Sequence, residues 1–258
     1  MLKKYIFVDY DGTIFDHGTN SIPDSTVKAI NLLQKNGHEI ILNTGRGPAL
    51  LHGIEKALNI NSYIASNGRY VVHHGEVIFK NFIDKKVVNE LTELAYKNRI
   101  DIAFSSANDF VLNSKFDTLY TNFSDCFHLD YPEVKHNYHL DNEVYQINLF
   151  YNKPDYKKFE ELFPTLHFNL SNSYGLDVNE KGGLKELGMQ VFEKKLGIAI
   201  EDTIAIGDGH NDISMIEYAN IGISMGNGVM DLKNAANIVT DDIDKDGFYN
   251  VFKKLKLI

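Results

Sequence analysis

Cysteine is almost missing from this chain: of its 258 residues, only Cys126 carries a thiol. No internal disulfide can form, and a Cys-rich zinc site is excluded. A chain of this length buries roughly three-quarters of its extended surface on folding, so its core needs no covalent staple. Positive charge is also scarce. Lys and Arg number 26 against 35 Asp and Glu, for a formal net charge of −9. Such a chain is a poor general binder of nucleic acid or of anionic membrane. Long apolar runs are lacking too, and nothing approaches the roughly 18 residues of a membrane span. Met1-Leu2-Lys3-Lys4 superficially opens like an export signal, but the apolar run Tyr5–Val8 stops at Asp9, too soon for one. The expectation is a soluble, cytoplasmic protein of one large or two modest domains, a monomer or weak homodimer.

What is present is an alternation of strand and helix signals. Tyr5 to Val8 and Glu39 to Leu42 read as strands buried on both faces, and Tyr63 to Ala65 as a third. Between the first two, Pro23-Asp24-Ser25 opens a helix with Val27, Ile30 and Leu33 at helical spacing, stopped by Gly37. Val71-Val72 and Val77-Ile78 flank His73-His74-Gly75-Glu76 as a hairpin. The pattern resumes with a helix over Leu184 to Lys195, strands at Thr203 to Ile206 and Ile221 to Ser224, and helices at Asp212 to Tyr218 and near Leu232. Ile238-Val239-Thr240 closes it. This predicts an α/β fold with a doubly wound parallel sheet.

The middle differs. A helix over Lys85 to Asn98 precedes paired strands at Ile102 to Phe104 and Phe110 to Leu112. A strand at Val144 to Phe150, a helix at Tyr156 to Leu162 and a hairpin of Leu166 to Leu170 with Leu176 to Val178 follow. Hairpins with segregated helices suggest an α+β unit. Residues 82–178 also hold 18 of the 30 aromatics in 97 of 258 residues, which supports a separate insert. The expected domains are 1–81 and 180–258 for the first, with 82–179 inserted.

In open α/β sheets, ligands bind outside the carboxyl ends of the strands. Asp9-Tyr10-Asp11-Gly12-Thr13 follows the first strand, Asn43-Thr44-Gly45-Arg46 the second, and Gly207-Asp208-Gly209-His210-Asn211-Asp212 the strand at Thr203. Any one of these could be an ordinary turn. Three converging at one sheet edge bring four carboxylates together, which repel unless a cation joins them. All-oxygen ligands with few protein groups suit Mg²⁺ and a phosphate substrate.

These segments resemble the four signature motifs of the haloacid dehalogenase superfamily, aspartate-nucleophile phosphotransferases. Phe7–Thr13 resembles the first, Leu42–Arg46 the second, Gly182-Gly183-Leu184-Lys185 the stretch with the third-motif lysine, and Gly207–Asp212 the fourth. The insert between Thr44 and Lys185, preceded by Ser66-Asn67-Gly68, resembles the cap of the Cof-type, sugar-phosphatase-like subfamily. The lysine is followed by Glu186, where that group usually has a small residue, and Lys181 stands nearby. The resemblance implies a Rossmann-like core and a cap that closes on the substrate. It implies Asp9 as the nucleophile and Asp11 as the acid and base. Tyr10, Thr44, Gly45, Lys185 and Asn211 would hold the phosphoryl oxygens. Mg²⁺ would be held by Asp9, Asp208 and the Asp11 carbonyl, with Asp212 in support. The implied activity is Mg²⁺-dependent hydrolysis of small phosphorylated metabolites, through an aspartyl-phosphate.

Two rival functions are a sugar phosphomutase of the same superfamily and a phospho-accepting signalling module. A signalling module gains nothing from an acid such as Asp11 beside its nucleophile. Other motifs are decoys. Gly222-Ile223-Ser224-Met225-Gly226 matches a serine-hydrolase elbow, but no histidine follows His210 to complete a triad in order. Asp242–Gly247 begins like an EF-hand loop, yet its twelfth position is Lys253 instead of a bidentate Glu. His128, His136 and His139 read as surface histidines.

Overall fold

A computed structural model of the chain describes residues 2–51 and 53–258. They form two compact units. One comprises residues 2–44, 53–78 and 183–258, the other 45–51 and 79–182.

The first unit begins with β1 (Tyr5–Val8), β2 (Glu39–Asn43), β3 (Tyr63–Ala65), β4 (Tyr70–His73) and the first residues of β5 (Glu76–Lys80). The second supplies β6 (Ile102–Ser105), β7 (Phe110–Leu112), β8 (Glu133–Val134), β9 (Gln146–Leu149), β10 (Leu166–Asn172) and β11 (Gly175–Glu180). The chain then returns to the first unit for β12 (Thr203–Gly207), β13 (Ile221–Ser224) and β14 (Ile238–Val239). The first sheet runs β14-β13-β12-β1-β2-β3-β4-β5. Its strands from β14 to β3 pair in parallel, and β4 turns antiparallel to β3.

Register decides where the chemistry falls. Val8 lies opposite Leu42 on one side and Ile206 on the other. The segments after β1, β2 and β12 therefore leave the sheet at the same edge. Ile6, Val8, Ile40, Leu42, Ile204, Ile206 and Ile223 form a core with Ile30 and Leu33 of the helix Asp24–Lys35. Phe248, Val251 and Phe252 of the helix Gly247–Lys254 join the same core. Each such side chain, fully buried, stabilises the fold by roughly 1.5–3 kcal/mol.

The second unit's sheet runs β10-β11-β9-β6-β7-β8. Alternation gives it two faces. Ile102, Phe104, Ile147, Leu149, Leu176 and Val178 pack with Val88 and Leu91 of the helix Lys85–Lys97. The opposite face carries Ser105, Gln146, Asn148, Asp177 and Asn179, all buried. Asn148 donates to Asp177 at 2.8 Å, and Asn179 to the Gln146 side-chain oxygen at 3.2 Å.

Several elements depart from the expected ones. The strand expected over Val144 to Phe150 is confined to Gln146–Leu149, and the helix expected from Tyr156 begins at Lys158. Helices Leu119–Cys126 and Gly247–Lys254 are additional. The stretch from Gly45 groups with the second unit because Gln146 donates to the Gly45 carbonyl at 2.9 Å and Arg46 to the Phe127 carbonyl at 3.1 Å. His139 is not on the surface. It is buried against Phe104, ring centroids 5.1 Å apart, with Nε2 3.3 Å from Asn89, and burial lowers its pKa.

Candidate active site

The edge built by β1 and β12 gathers the predicted residues of the first unit. Asp9 follows β1 and is buried. Lys185 opens the helix Lys185–Leu196 and is fully buried. Its Nζ lies 2.5 Å from Asp9 Oδ1 and 2.5 Å from Asp212 Oδ1. The other Asp212 oxygen accepts the Asp208 and Gly209 amides at 2.9 and 2.8 Å. Asp212 thus fixes the loop after β12 and the ammonium together. Thr13 donates to Asp208 Oδ1 at 3.0 Å. Gly12, at φ +80°, touches Asp208 so closely that a Cβ there would fall 2.2 Å from its Oδ2. Only glycine allows the two loops to meet.

The helix carrying Lys185 is itself braced. Asn43, at the end of β2, donates to the Lys185 carbonyl at 3.2 Å, and Arg69 to the Gly183 carbonyl at 2.7 Å. The Glu186 carboxylate accepts the Leu184 amide at 3.1 Å. An acid at a helix start is favourable for both amide and dipole, which accounts for Glu186 where a small residue was expected. Lys181, by contrast, is exposed in the second unit. It is Lys185 that stands beside Asp9 and Asp212.

Asp9, Asp208 and Asp212 can bring one carboxylate oxygen each within 4.8 Å of one another. Burial, then Asp212 and Asp11, push the Asp9 carboxyl up to about 7 against the opposing pull of Lys185. Burial, then Asp9 and Asp212, also push Asp208 well above the usual carboxylate range. Burial disfavours the Lys185 cation, yet Asp212 and Asp9 outweigh it and hold the lysine charged. Ionising all three carboxylates against one ammonium would leave excess negative charge, which a divalent cation would offset.

The remaining predicted residues are placed as follows. Asp11 Oδ1 lies 3.1 Å from His17 Nε2. Thr44 is buried after β2, its amide donating to the Ile64 carbonyl at 2.9 Å. Asn211 donates to the Asn67 side chain at 3.1 Å. Tyr10 has its ring in the core, stacked on Phe15, which leaves only its backbone to face a ligand. Gly45 follows Thr44 in the chain but groups with the second unit. Thr13, His17, Asn67 and Asn227 were assigned no role from the sequence, although Thr13 and Asn67 lie in quoted motifs. Asn227 donates to the Gly12 carbonyl at 2.8 Å and accepts the Ile243 amide at 3.0 Å. Thr13 lies inside the first motif, and Asn67 precedes Gly68 in a left-handed turn, signals that could have found both.

A family model for haloacid dehalogenase-like hydrolases matches residues 6–252. YkrA of Bacillus subtilis, a candidate phosphatase, is 34% identical over 267 residues, covering 100% of both chains. The 5-amino-6-(5-phospho-D-ribitylamino)uracil phosphatase YcsE of Bacillus subtilis is 25% identical over 248 residues, 95% of this chain and 92% of its own. Among solved structures, a sugar phosphatase of HAD subclass IIB aligns with a TM-score of 0.90 at 30% identity, over 99% of this chain and 100% of that one. With the strand-end geometry and a family match that spans nearly its whole length, the chain belongs to the haloacid dehalogenase-like hydrolases.

Proposed function

We propose that this phosphatase hydrolyses small phosphorylated metabolites, sugar phosphates or similar, with Mg²⁺ and through an aspartyl-phosphate on Asp9. The observation that carries the reading is the meeting of Asp9, Asp208 and Asp212 around the buried Lys185. All donors are oxygens, and Asp9 and Asp208 resist ionisation on their own, which fits a site for a hard divalent cation. Asp9, Asp208 and the Asp11 carbonyl would hold it. Asp212 orients them, since Lys185 and two amides already engage its oxygens. When bound, Mg²⁺ supplies positive charge against the phosphate dianion.

In this reading an Asp9 oxygen attacks phosphorus as the bond to the leaving alcohol breaks. Asp11 gives its proton to that alcohol oxygen, then takes one from the water that attacks the acyl-phosphate. The P–O bond to Asp9 breaks, releasing inorganic phosphate and restoring the carboxylate. Thr44, Lys185, Asn211 and the amides at Tyr10 and Gly45 hold the transferring oxygens, a role that acts mainly by position and charge. The experiment is hydrolysis of p-nitrophenyl phosphate by the purified chain. Activity should need Mg²⁺ and stop in EDTA, and full turnover after thorough metal removal would sink the reading. A hexose 1-phosphate with a trace of bisphosphate should yield mainly inorganic phosphate. Accumulation of hexose 6-phosphate would favour a mutase.

A further inference from the structure

A second group of chemistry-bearing residues lies at the opposite edge of the first unit's sheet. Glu39 is the first residue of β2 and pairs with Tyr5, the first of β1. It is therefore about 16 Å along the strand from Thr44, at roughly 3.3 Å per residue. Because β4 is antiparallel to β3, with Tyr63 opposite Val72, His73 arrives at this same edge. His74 and Gly75, at φ 50° and 84°, make the two-residue turn into β5.

His73 Nε2 lies 3.2 Å from Glu39 Oε1, and His74 Nε2 lies 3.7 Å from the same oxygen. One donor atom of each of the three residues falls within 4.8 Å of the others. Donors bound tetrahedrally at the 2.0–2.1 Å typical of zinc stand about 3.3–3.4 Å apart. The measured pair brackets that spacing. The donors are also held in place. Ser62 Oγ donates to Glu39 Oε1 at 3.3 Å and accepts the His74 amide at 3.2 Å, tying the turn to the carboxylate. Lys3 engages the other oxygen, Oε2, at 2.8 Å. Partners of this kind orient ligands and tune a metal site. The side chains grade from Glu39 at 10% exposed through His73 at 20% to His74 at 62%, so the group opens to solvent, where water can complete the coordination.

We propose that Glu39, His73 and His74 form a second metal site, for Zn²⁺ or a similar borderline divalent cation, at the sheet edge opposite the catalytic carboxylates. Two imidazoles and a carboxylate suit such an ion better than Mg²⁺, which prefers oxygen alone. The ion would replace the proton shared between imidazole and carboxylate and pin the β4–β5 turn to β2.

The test uses the full chain, stripped with a chelator and dialysed into millimolar Mg²⁺ so that the catalytic carboxylates are occupied. Zn²⁺ is then titrated by calorimetry, and Co²⁺ by its visible absorption. One Zn²⁺ per chain should bind, and Co²⁺ should give the intense bands of a tetrahedral site. His73→Gln and His74→Gln should each weaken Zn²⁺ at least about tenfold, as losing a ligand must cost no less than losing one of its supports. Both should turn over p-nitrophenyl phosphate in Mg²⁺ as the parent does. His74 is on an exposed turn, so its variant folds even if that of His73 does not, and circular dichroism checks both. No Zn²⁺ uptake in Mg²⁺, or uptake that the His74 variant keeps in full, overturns the proposal and assigns any zinc to the carboxylate edge.

Discussion

Lys185 and Asp9 are joined by a 2.5 Å ion pair in which both side chains are withdrawn from water. The lysine spans to Asp212 at the same distance, so one ammonium ties the segment after β1 to the segment after β12. Removing one partner of a buried pair leaves an uncompensated charge, at a cost of about 3–5 kcal/mol. Lys185→Met should therefore lower metal-free stability by that order in urea unfolding at pH 8, and Mg²⁺ should recover part of the loss. Turnover should fall about 10²–10³-fold, as when a donor to the developing oxyanion is removed. A variant as stable as the parent without metal would show that the pair does not hold the edge together.

The aspartates of the first motif should separate by role. Asp9→Asn keeps the shape and removes the nucleophile, so turnover and any acid-stable phosphate label on the protein should vanish. Asp11→Asn should lower kcat about 10²–10⁴-fold. His17, 3.1 Å from Asp11, should act as a positioning residue. His17→Ala should cost less than Asp11→Asn and move the pH profile of kcat/KM, which a merely structural role would leave in place. Wild-type turnover in Asp9→Asn would defeat the covalent mechanism.

Metal and pH should be linked. The folded pKa values of Asp9, about 7, and of Asp208 are raised by burial and by neighbouring carboxylates. Between the unfolded value near 4 and these raised values, the folded state holds protons that the unfolded chain has released. The stability from those protons is complete below about pH 4 and is lost as pH rises toward 7. A cation bound by the ionised carboxylates offsets that loss. Mg²⁺ should thus raise Tm more at pH 8 than at pH 5, and the difference should shrink in Asp208→Asn. Ca²⁺ should inhibit turnover, because its looser coordination can draw in both Asp9 oxygens. An equal Mg²⁺ shift at the two pH values would contradict the linkage.

The carboxylate-bearing edge was legible because carboxylates at the ends of apolar strands are costly when unpaired, and Asp9, Asp11, Asp208 and Asp212 all follow such strands. Their partners were less so. Thr13 meets Asp208 across 195 residues, and Gln146 meets Gly45 across 101, contacts that no local pattern encodes. That second contact is one reason the stretch from Gly45 groups away from Thr44. His139 read as a surface residue because polarity alone set its prior, whereas packing on Phe104 buried it. The helix Gly247–Lys254 places Phe248, Val251 and Phe252 at helical spacing, but eight residues are too few for the period to stand out. His73 and His74 were read only as part of a turn, since Glu39 reaches them through sheet register and not through sequence.

Substrate choice should reside in the second unit. In the proposed mechanism the first unit's groups address a cation and the phosphate that every phosphate ester offers alike. The second unit's sheet instead presents a buried face of amides and one carboxylate: Gln146, Asn148, Asp177 and Asn179. Such groups make directional hydrogen bonds, and a site built to bond a hydroxyl discriminates strongly against an analogue lacking it. A screen over phosphorylated sugars, nucleotides and cofactors would first identify the preferred metabolite. Asn148→Ala and Asp177→Asn should then change kcat/KM for that metabolite by at least about tenfold, the loss of one well-placed hydrogen bond. Turnover of p-nitrophenyl phosphate, whose leaving group offers no hydroxyls to read, should change little. Replacing residues 82–179 with a short Gly/Ser linker should abolish the preference while weak activity on p-nitrophenyl phosphate persists. If the linker chain still ranks the metabolites as the full chain does, the choice is made at the carboxylate edge and the second unit does not read the substrate.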